Sequence, residues 1–500
     1  MAEAAASARS CVGHGGGGGC FLRRRLLAGA AFLAAFGLAA SALGAAADDA
    51  AAGRVHVTLN VADMLVASSS CDGTPPPREH KHGAASGTRM TIVHRHGPCS
   101  PLADAHSKPP SHEEILAADQ SRAQSIQHRV SATATSWEPT ELKGAAASGA
   151  LPVSSGRALD TGNYVVTIGL GTPASRYTVV FDTGSDTTWV QCQPCVVVCY
   201  KQKDRLFDPA KSSTYSNISC ASSYCSDLYT HGCSGGHCLY GVRYGDGSYT
   251  IGFFAQDTLT LSSDSIKGFR FGCGERNRGL FGQAAGLLGL GRGRTSLPVQ
   301  TYDRYGGVFE HCLPARYTGT GYLDFGPGSP AANARLTPML TENGPTFYYV
   351  GMTGIRVGRQ LLPIPPSVFS TAGTLVDSGT VITRLPPTAY SALRSAFSED
   401  MAALGYKKAP ALSILDTCYD LTGRSEVALP RVSLLFLGGA CLDVDASGIL
   451  YVASPSQACL GFAANEDDGD VGIIGNTQLK TYGVLYDISK RVVGFSPGAC

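Results

Sequence analysis

From Asn163 onward, short runs of apolar and β-branched residues alternate with polar positions, as in Tyr164-Val165-Val166-Thr167-Ile168. Gly, Pro and Ser turn signals recur about every 8 to 12 residues. This pattern predicts an all-β chain with few short helices. The clearest exception is the stretch from Pro387 to Ala403, where Tyr390, Leu393, Phe397 and Met401 recur at helical spacing and predict a helix packed on the core. Two of the predicted strands end on an acid: Val179-Val180-Phe181-Asp182-Thr183-Gly184-Ser185 and Thr374-Leu375-Val376-Asp377-Ser378-Gly379-Thr380. In each, apolar residues predict a buried strand, the glycine turns the chain, and the aspartate is left at the strand end beside a hydroxyl.

An Asp-Thr/Ser-Gly tripeptide is weak by itself, and Asp160-Thr161-Gly162 is a decoy, since the loop-like Ser154-Ser155-Gly156-Arg157 precedes it. The two retained copies have company. About a hundred residues after each lies a matching apolar strand, Gly286-Leu287-Leu288-Gly289 and Gly472-Ile473-Ile474-Gly475. The repeated unit is therefore a half-molecule with one acid, and two such units imply two similar lobes. Two carboxyl groups brought within hydrogen-bonding distance cannot both ionise, so they share a proton and supply an acid and a base at one point.

With these motifs the chain resembles the pepsin-like aspartic proteases, Asp182 and Asp377 falling on the catalytic aspartates. Tyr244-Gly245-Asp246-Gly247-Ser248 matches the family's flap hairpin, with Tyr244 as its tyrosine, and Trp189 falls on the tryptophan that hydrogen-bonds it. The cysteine-dense insertion from Cys192 to Cys238 is similar to that of the nepenthesin-like plant branch. The match covers about residues 160 to 500. It implies a bilobal double β-barrel with the active-site cleft between pseudo-symmetric lobes, here expected at 151–340, with the insertion and flap, and at 341–500. It also implies that Ser185 and Thr380 hold the outer carboxylate oxygens, that Thr183 and Ser378 link the two motifs, and that one water lies between the aspartates. No cofactor or metal is implied. Asp186 departs from the serine or threonine common after this motif and is expected to add negative charge near the pair.

Seventeen cysteines, all but Cys11 and Cys20 behind a targeting segment, read as a disulfide framework for an oxidising compartment. A zinc cluster built from Cys192, Cys195, Cys199, His231, Cys233, His237 and Cys238 is the rival reading. Thiol redox chemistry at Cys192-x-x-Cys195 lacks a surrounding βαβ pattern. The nepenthesin-like resemblance implies the pairs Cys192 with Cys195, Cys199 with Cys273, Cys220 with Cys238, Cys225 with Cys233, Cys312 with Cys500 and Cys418 with Cys459, leaving Cys441 over.

Arg23-Arg24-Arg25, the apolar run from Leu26 to Leu43 and Ala45-Ala46-Ala47 predict a signal peptide over 1–47, with an uncleaved anchor or a plastid transit peptide as alternatives. Residues 48–150, with Pro75-Pro76-Pro77 and a basic stretch from Arg78 to His82, contain little to build a core of their own. The alternatives there are a disordered linker or, by the resemblance, a propeptide. Val93-His94-Arg95-His96-Gly97-Pro98-Cys99 looks like a motif of plant prosegments. As a hypothesis, the protonated histidines and the Arg and Lys groups of residues 48–150 pair with the acidic cleft at neutral pH, and acid breaks those pairs by protonating the carboxylates.

A net charge of +1 gives no electrostatic draw to nucleic acid or to an anionic membrane. Gly289-Leu290-Gly291-Arg292-Gly293 lacks the spacing of a dinucleotide site. Asn217-Ile218-Ser219 is an N-glycosylation sequon placed in a polar loop. Too few residues follow Asp377 for the saposin-like insert of vacuolar relatives. The expectation is a secreted, apoplastic, monomeric aspartic endopeptidase zymogen acting on peptide or protein substrates at acidic pH, with no stable membrane association. Two other classes stay open. One is a catalytically inactive pepsin-fold binding or inhibitor protein, and the other is a nucleic-acid-binding protease of plastids.

Overall fold

Each acid-bearing strand is laid down by the same strand pairing. In the first lobe, Ser175–Asp182 runs antiparallel to Tyr164–Leu170 and parallel to Gly286–Gly289, with Gly289 opposite Asp182. In the second, Thr374–Val376 runs antiparallel to Tyr348–Val350 and parallel to Gly472–Ile474. The apolar-apolar-Gly strand is thus the direct neighbour of the acid-bearing strand in both lobes. Buried on both faces, these strands read as continuous apolar runs, as parallel neighbours do. Val179, Phe181, Leu288, Leu375, Ile473 and Ile474 are all buried.

This computed structural model describes residues 55–65, 70–72, 87–103, 110–133, 140–141, 164–244, 247–279, 281–327 and 333–500. The expected signal peptide, the Pro75 stretch, the Asp160 decoy and the flap residues Gly245 and Asp246 lie outside the described residues. The helix expected at 387–403 forms over Pro387–Ala403, with Pro387 in its first turn, where a fixed φ and a missing N–H cost nothing. Tyr390, Leu393, Phe397 and Met401 form its buried face. No helix among the described residues is long and apolar enough to cross a membrane.

The described segments of residues 48–150, expected to contain little that could build a core of their own, pack instead into the core of the two lobes. The strand Thr88–His94 lies within the main sheet, paired along its length with Thr320–Phe325 and at its end with Tyr164–Leu170. A second leading strand, His56–Asn60, pairs with Glu426–Pro430. Leu59, Met64, Met90 and Ile92 join the main hydrophobic core. These segments lack a core of their own because they complete that of the two lobes.

Disulfide pairing also departs from expectation in the insertion. Cys192 bonds Cys273 and Cys195 bonds Cys199, while Cys220 bonds Cys233 and Cys225 bonds Cys238. Cys192 continues the strand Trp189–Gln191, which runs parallel to Asp264–Arg278 with Val190 opposite Cys273, so those two cysteines are neighbours with Cα atoms 5.4 Å apart. Cys233 and Cys238 face each other across one hairpin, and each turns to a different partner. Cys312–Cys500 and Cys418–Cys459 pair as expected, and Cys71–Cys99 adds a bridge ahead of the two lobes. Cys441 stands outside these disulfides and is buried. The sequon asparagine, expected in a loop, sits on the short strand Ser216–Asn217, with its side-chain oxygen accepting from the Tyr215 hydroxyl at 2.6 Å.

Candidate active site

The two strand ends bring Asp182 and Asp377 together, 1% and 0% exposed. Their surroundings are built in matching pairs. The Ser185 hydroxyl donates to Asp182 Oδ2 at 2.7 Å and the Thr380 hydroxyl to Asp377 Oδ2 at 2.5 Å. The Gly184 and Gly379 amides donate to the inner oxygens of their own aspartates, at 3.0 and 3.2 Å. The lobes are pinned to each other by reciprocal bonds. The Thr183 amide donates to Ser378 Oγ at 3.1 Å, and the Ser378 amide to Thr183 Oγ1 at 2.9 Å. Glycine is required in both motifs because each lies against the opposite acid. A Cβ on Gly184 would lie 2.5 Å from Asp377 Oδ1, and one on Gly379 2.5 Å from Asp182 Oδ1.

Between the carboxylates sits a guanidinium. Arg122 Nη2 donates to Asp182 Oδ1 at 2.7 Å and to Asp377 Oδ1 at 2.8 Å, and its Nε donates to Asp377 Oδ2 at 2.9 Å. Arg122 comes from the helix His112–Thr133, which fills the cleft. The helix starts on a capping box: Ser111 Oγ accepts from the Glu114 amide, and the Glu114 carboxylate accepts from the Ser111 amide. Its apolar residues dock on the second lobe. Leu116 packs with Val381, Ile382, Leu412 and Leu415, and Ala123 and Ile126 pack with Phe347, Tyr349, Leu375 and Ile473. Its polar contacts fall on the same side at helical spacing: Asp119, Arg122 and Arg129, the last donating to the Gly184 carbonyl at 3.3 Å.

The flap residues meet as the sequence suggests. Trp189 is fully buried, and its indole N–H donates to the Tyr244 hydroxyl at 2.8 Å. The ring of Phe281 stands edge-on to both. Burial holds the Tyr244 hydroxyl well above its ordinary pKa, so it stays protonated.

Two family profiles match the chain, "Xylanase inhibitor N-terminal" over residues 164–327 and "Xylanase inhibitor C-terminal" over 347–497. An "aspartyl protease family protein" of Arabidopsis thaliana is 45% identical over 450 residues, covering 89% of this chain and 93% of that one. The chain belongs to the pepsin-like aspartic protease family. Its relatives include the "aspartic proteinase nepenthesin-2" of Nepenthes gracilis, 36% identical over 68% of this chain and 78% of that one. The crystal structure of soybean basic 7S globulin shares the pepsin-like fold, with a TM-score of 0.54 at 23% identity, covering 67% of this chain and 92% of that one.

Within this pepsin-like frame, burial pushes the Asp377 carboxyl up, but Arg122, Thr380 and the Gly379 amide together outweigh it and hold it below the usual carboxylate range. The histidines of the Val93–Cys99 motif do not pair with the cleft, which corrects that part of the hypothesis, while an arginine of residues 48–150 does pair with it. His94 lies in the leading strand against Tyr164 and Tyr317. Burial holds it well below its ordinary pKa, and holds His96 down to about 3. The cation in the cleft is Arg122, which sequence reasoning did not single out. Asp186 accepts from the Gly293 amide and the Thr346 hydroxyl, both at 2.8 Å, and so ties the first acid loop to the start of the second lobe. Burial raises its carboxyl pKa.

Proposed function

We propose that this chain is the zymogen of a secreted aspartic endopeptidase, held inactive by its own residues 48–150 and working at acidic pH through the pair Asp182 and Asp377. The observation that carries this reading is the pair itself: two buried carboxylates at matched strand ends, each with a hydroxyl and a glycine amide, aimed at one point. With the cleft helix withdrawn, that point takes a water. The ionised member removes a proton from the water as it attacks the peptide carbonyl, and the protonated member donates to the carbonyl oxygen. The resulting gem-diol collapses as a proton passes to the amine, so no acyl-enzyme forms. The hydroxyls of Ser185 and Thr380 favour keeping the pair singly ionised at low pH. Tyr244, held by Trp189, covers an extended peptide and excludes water.

Arg122 explains the resting state. One cation binds both carboxylates and occupies the place of the water. Residues 1–47 serve as a signal peptide, and the disulfide framework suits secretion to an oxidising space such as the apoplast. The family profiles carry the name of an inhibitor, so a binding function is the second reading. Intact acids, hydroxyls and flap tyrosine favour the enzyme. The test is acid treatment of the secreted full chain followed by digestion of a denatured protein at pH 3 to 5. The proposal expects N-terminal shortening to a start near residue 150 and internal cleavages blocked by a statine-containing peptide. A shortened chain that cleaves nothing would favour the binding reading.

A further inference from the structure

Arg384 is among the largest fully buried side chains, at 1% exposure. It stands seven residues after Asp377, as Trp189 stands seven after Asp182. The strand registers agree: Trp189 lies opposite Leu287 and Arg384 opposite Ile473, each the second residue of its apolar-apolar-Gly strand. Where the first lobe presents an indole to the flap, the second therefore carries a cation. Among the described residues, its carboxylate partner is Asp119 of the cleft helix, which Arg384 Nη2 reaches at 2.8 Å. The same carboxylate accepts from the Val381 amide at 2.6 Å and the Ile382 amide at 3.1 Å. Arg384 Nε and Nη1 are buried with no hydrogen-bond partner.

This is a three-donor cradle around one carboxylate, and the acid in it belongs to a helix that must leave before any substrate enters. A buried guanidinium stripped of its counter-ion is costly, as are two amides left without acceptors. We infer that Arg384, with the Val381 and Ile382 amides, forms a subsite that takes an Asp or Glu side chain of the substrate, for which Asp119 stands in while the helix is docked. The inference rests on the proteolytic reading above. Asp119 and Arg122 lie one helical turn apart, about 5–6 Å between side-chain bases. An extended peptide advances about 3.3 Å per residue, so the acid lies within roughly two residues of the scissile bond.

The test uses the acid-processed full chain and paired fluorogenic peptides. The members of each pair differ only by Glu or Gln at one of the two positions on either side of the cut. Assays run at pH 5.5, where glutamate is ionised. At one position, kcat/KM for the Glu peptide should exceed that for the Gln peptide by about tenfold or more, the scale of a charge-assisted hydrogen bond over a neutral one. Arg384→Gln should bring that ratio to near one, and Arg384→Lys should keep part of it. A wild-type ratio near one at every position, or a ratio that survives in Arg384→Gln, overturns the inference. Should Arg384→Gln fail to fold, the wild-type ratio and Arg384→Lys decide. If neither peptide is cleaved, the proteolytic reading is what has failed, and fluorescence anisotropy with the same labelled peptides decides on the subsite. Tighter binding of the Glu peptide supports it and equal binding overturns it.

Discussion

Replacing Arg122 with methionine keeps most of the side chain's volume and removes its charge. The wild-type guanidinium makes three hydrogen bonds to two almost fully buried carboxylates and is itself only 13% exposed. Breaking a buried pair by removing one partner costs about 3–5 kcal/mol. The two carboxyls recover part of this by sharing a proton, which places the net loss near the lower bound. A loss of about 3 kcal/mol weakens docking of the cleft helix by a factor on the order of a hundred. The assay is calorimetric binding of a statine-containing peptide to the unprocessed chain at pH 6.5. Arg122→Met should bind about a hundredfold more tightly than wild type, because less work is needed to expose the acids. Equal affinities, within about threefold, would refute the idea that this contact closes the cleft.

Further predictions concern acid release and the flap. The lowered pKa of Asp377 means that the Arg122 contact is complete above the ordinary carboxylate pKa of about 4 and is lost as pH falls through the lowered value. Asp119 works the other way, because burial raises its carboxyl and acid then favours docking. The neutral buried histidines act earlier. Their stabilisation is complete above about pH 6.5 and declines as pH falls toward their lowered values, by roughly 1.4 kcal/mol per unit for each group that stays neutral only when docked. Replacing His94 and His96 together with phenylalanine should therefore move the midpoint of acid self-processing, followed by gel mobility, to lower pH by about half a unit or more, and an unchanged midpoint would count against this. Tyr244→Phe removes the acceptor of the Trp189 indole N–H. It should lower kcat/KM for a peptide substrate about fivefold, the scale of one hydrogen bond of about 1 kcal/mol, with little change in Tm. An unaltered kcat/KM would mean that the indole does not position the flap.

The two lobes were legible because the motif and its partner strand recur at similar separation, and parallel pairing makes both apolar on each face. Residues 48–150 were less so. Their strand Thr88–His94 and helix His112–Thr133 bury residues against the lobes rather than against each other, so no self-contained apolar pattern arises. The helix did leave a signal: Ser111-x-x-Glu114 followed by Leu116, Ala123, Ile126 and Val130 at helical spacing. Arg122 on that same face was the route to the cleft cation. Disulfide pairing in the insertion was hidden for a different reason. Cys233 and Cys238 are opposed across one hairpin, and only the positions of Cys220 and Cys225 around it decide which takes which.

The central claim is that Asp182 and Asp377 act as one site. The most direct measurement compares wild type, Asp182→Asn and Asp377→Asn after acid treatment, each first matched in circular dichroism and Tm, in digestion of a denatured protein at pH 4. Wild type should cleave, and each single variant should lose at least a thousandfold in rate, because an amide can neither share the proton nor activate the water, an effect on the order of 4 kcal/mol or more. Cleavage retained by either folded variant would contradict the account.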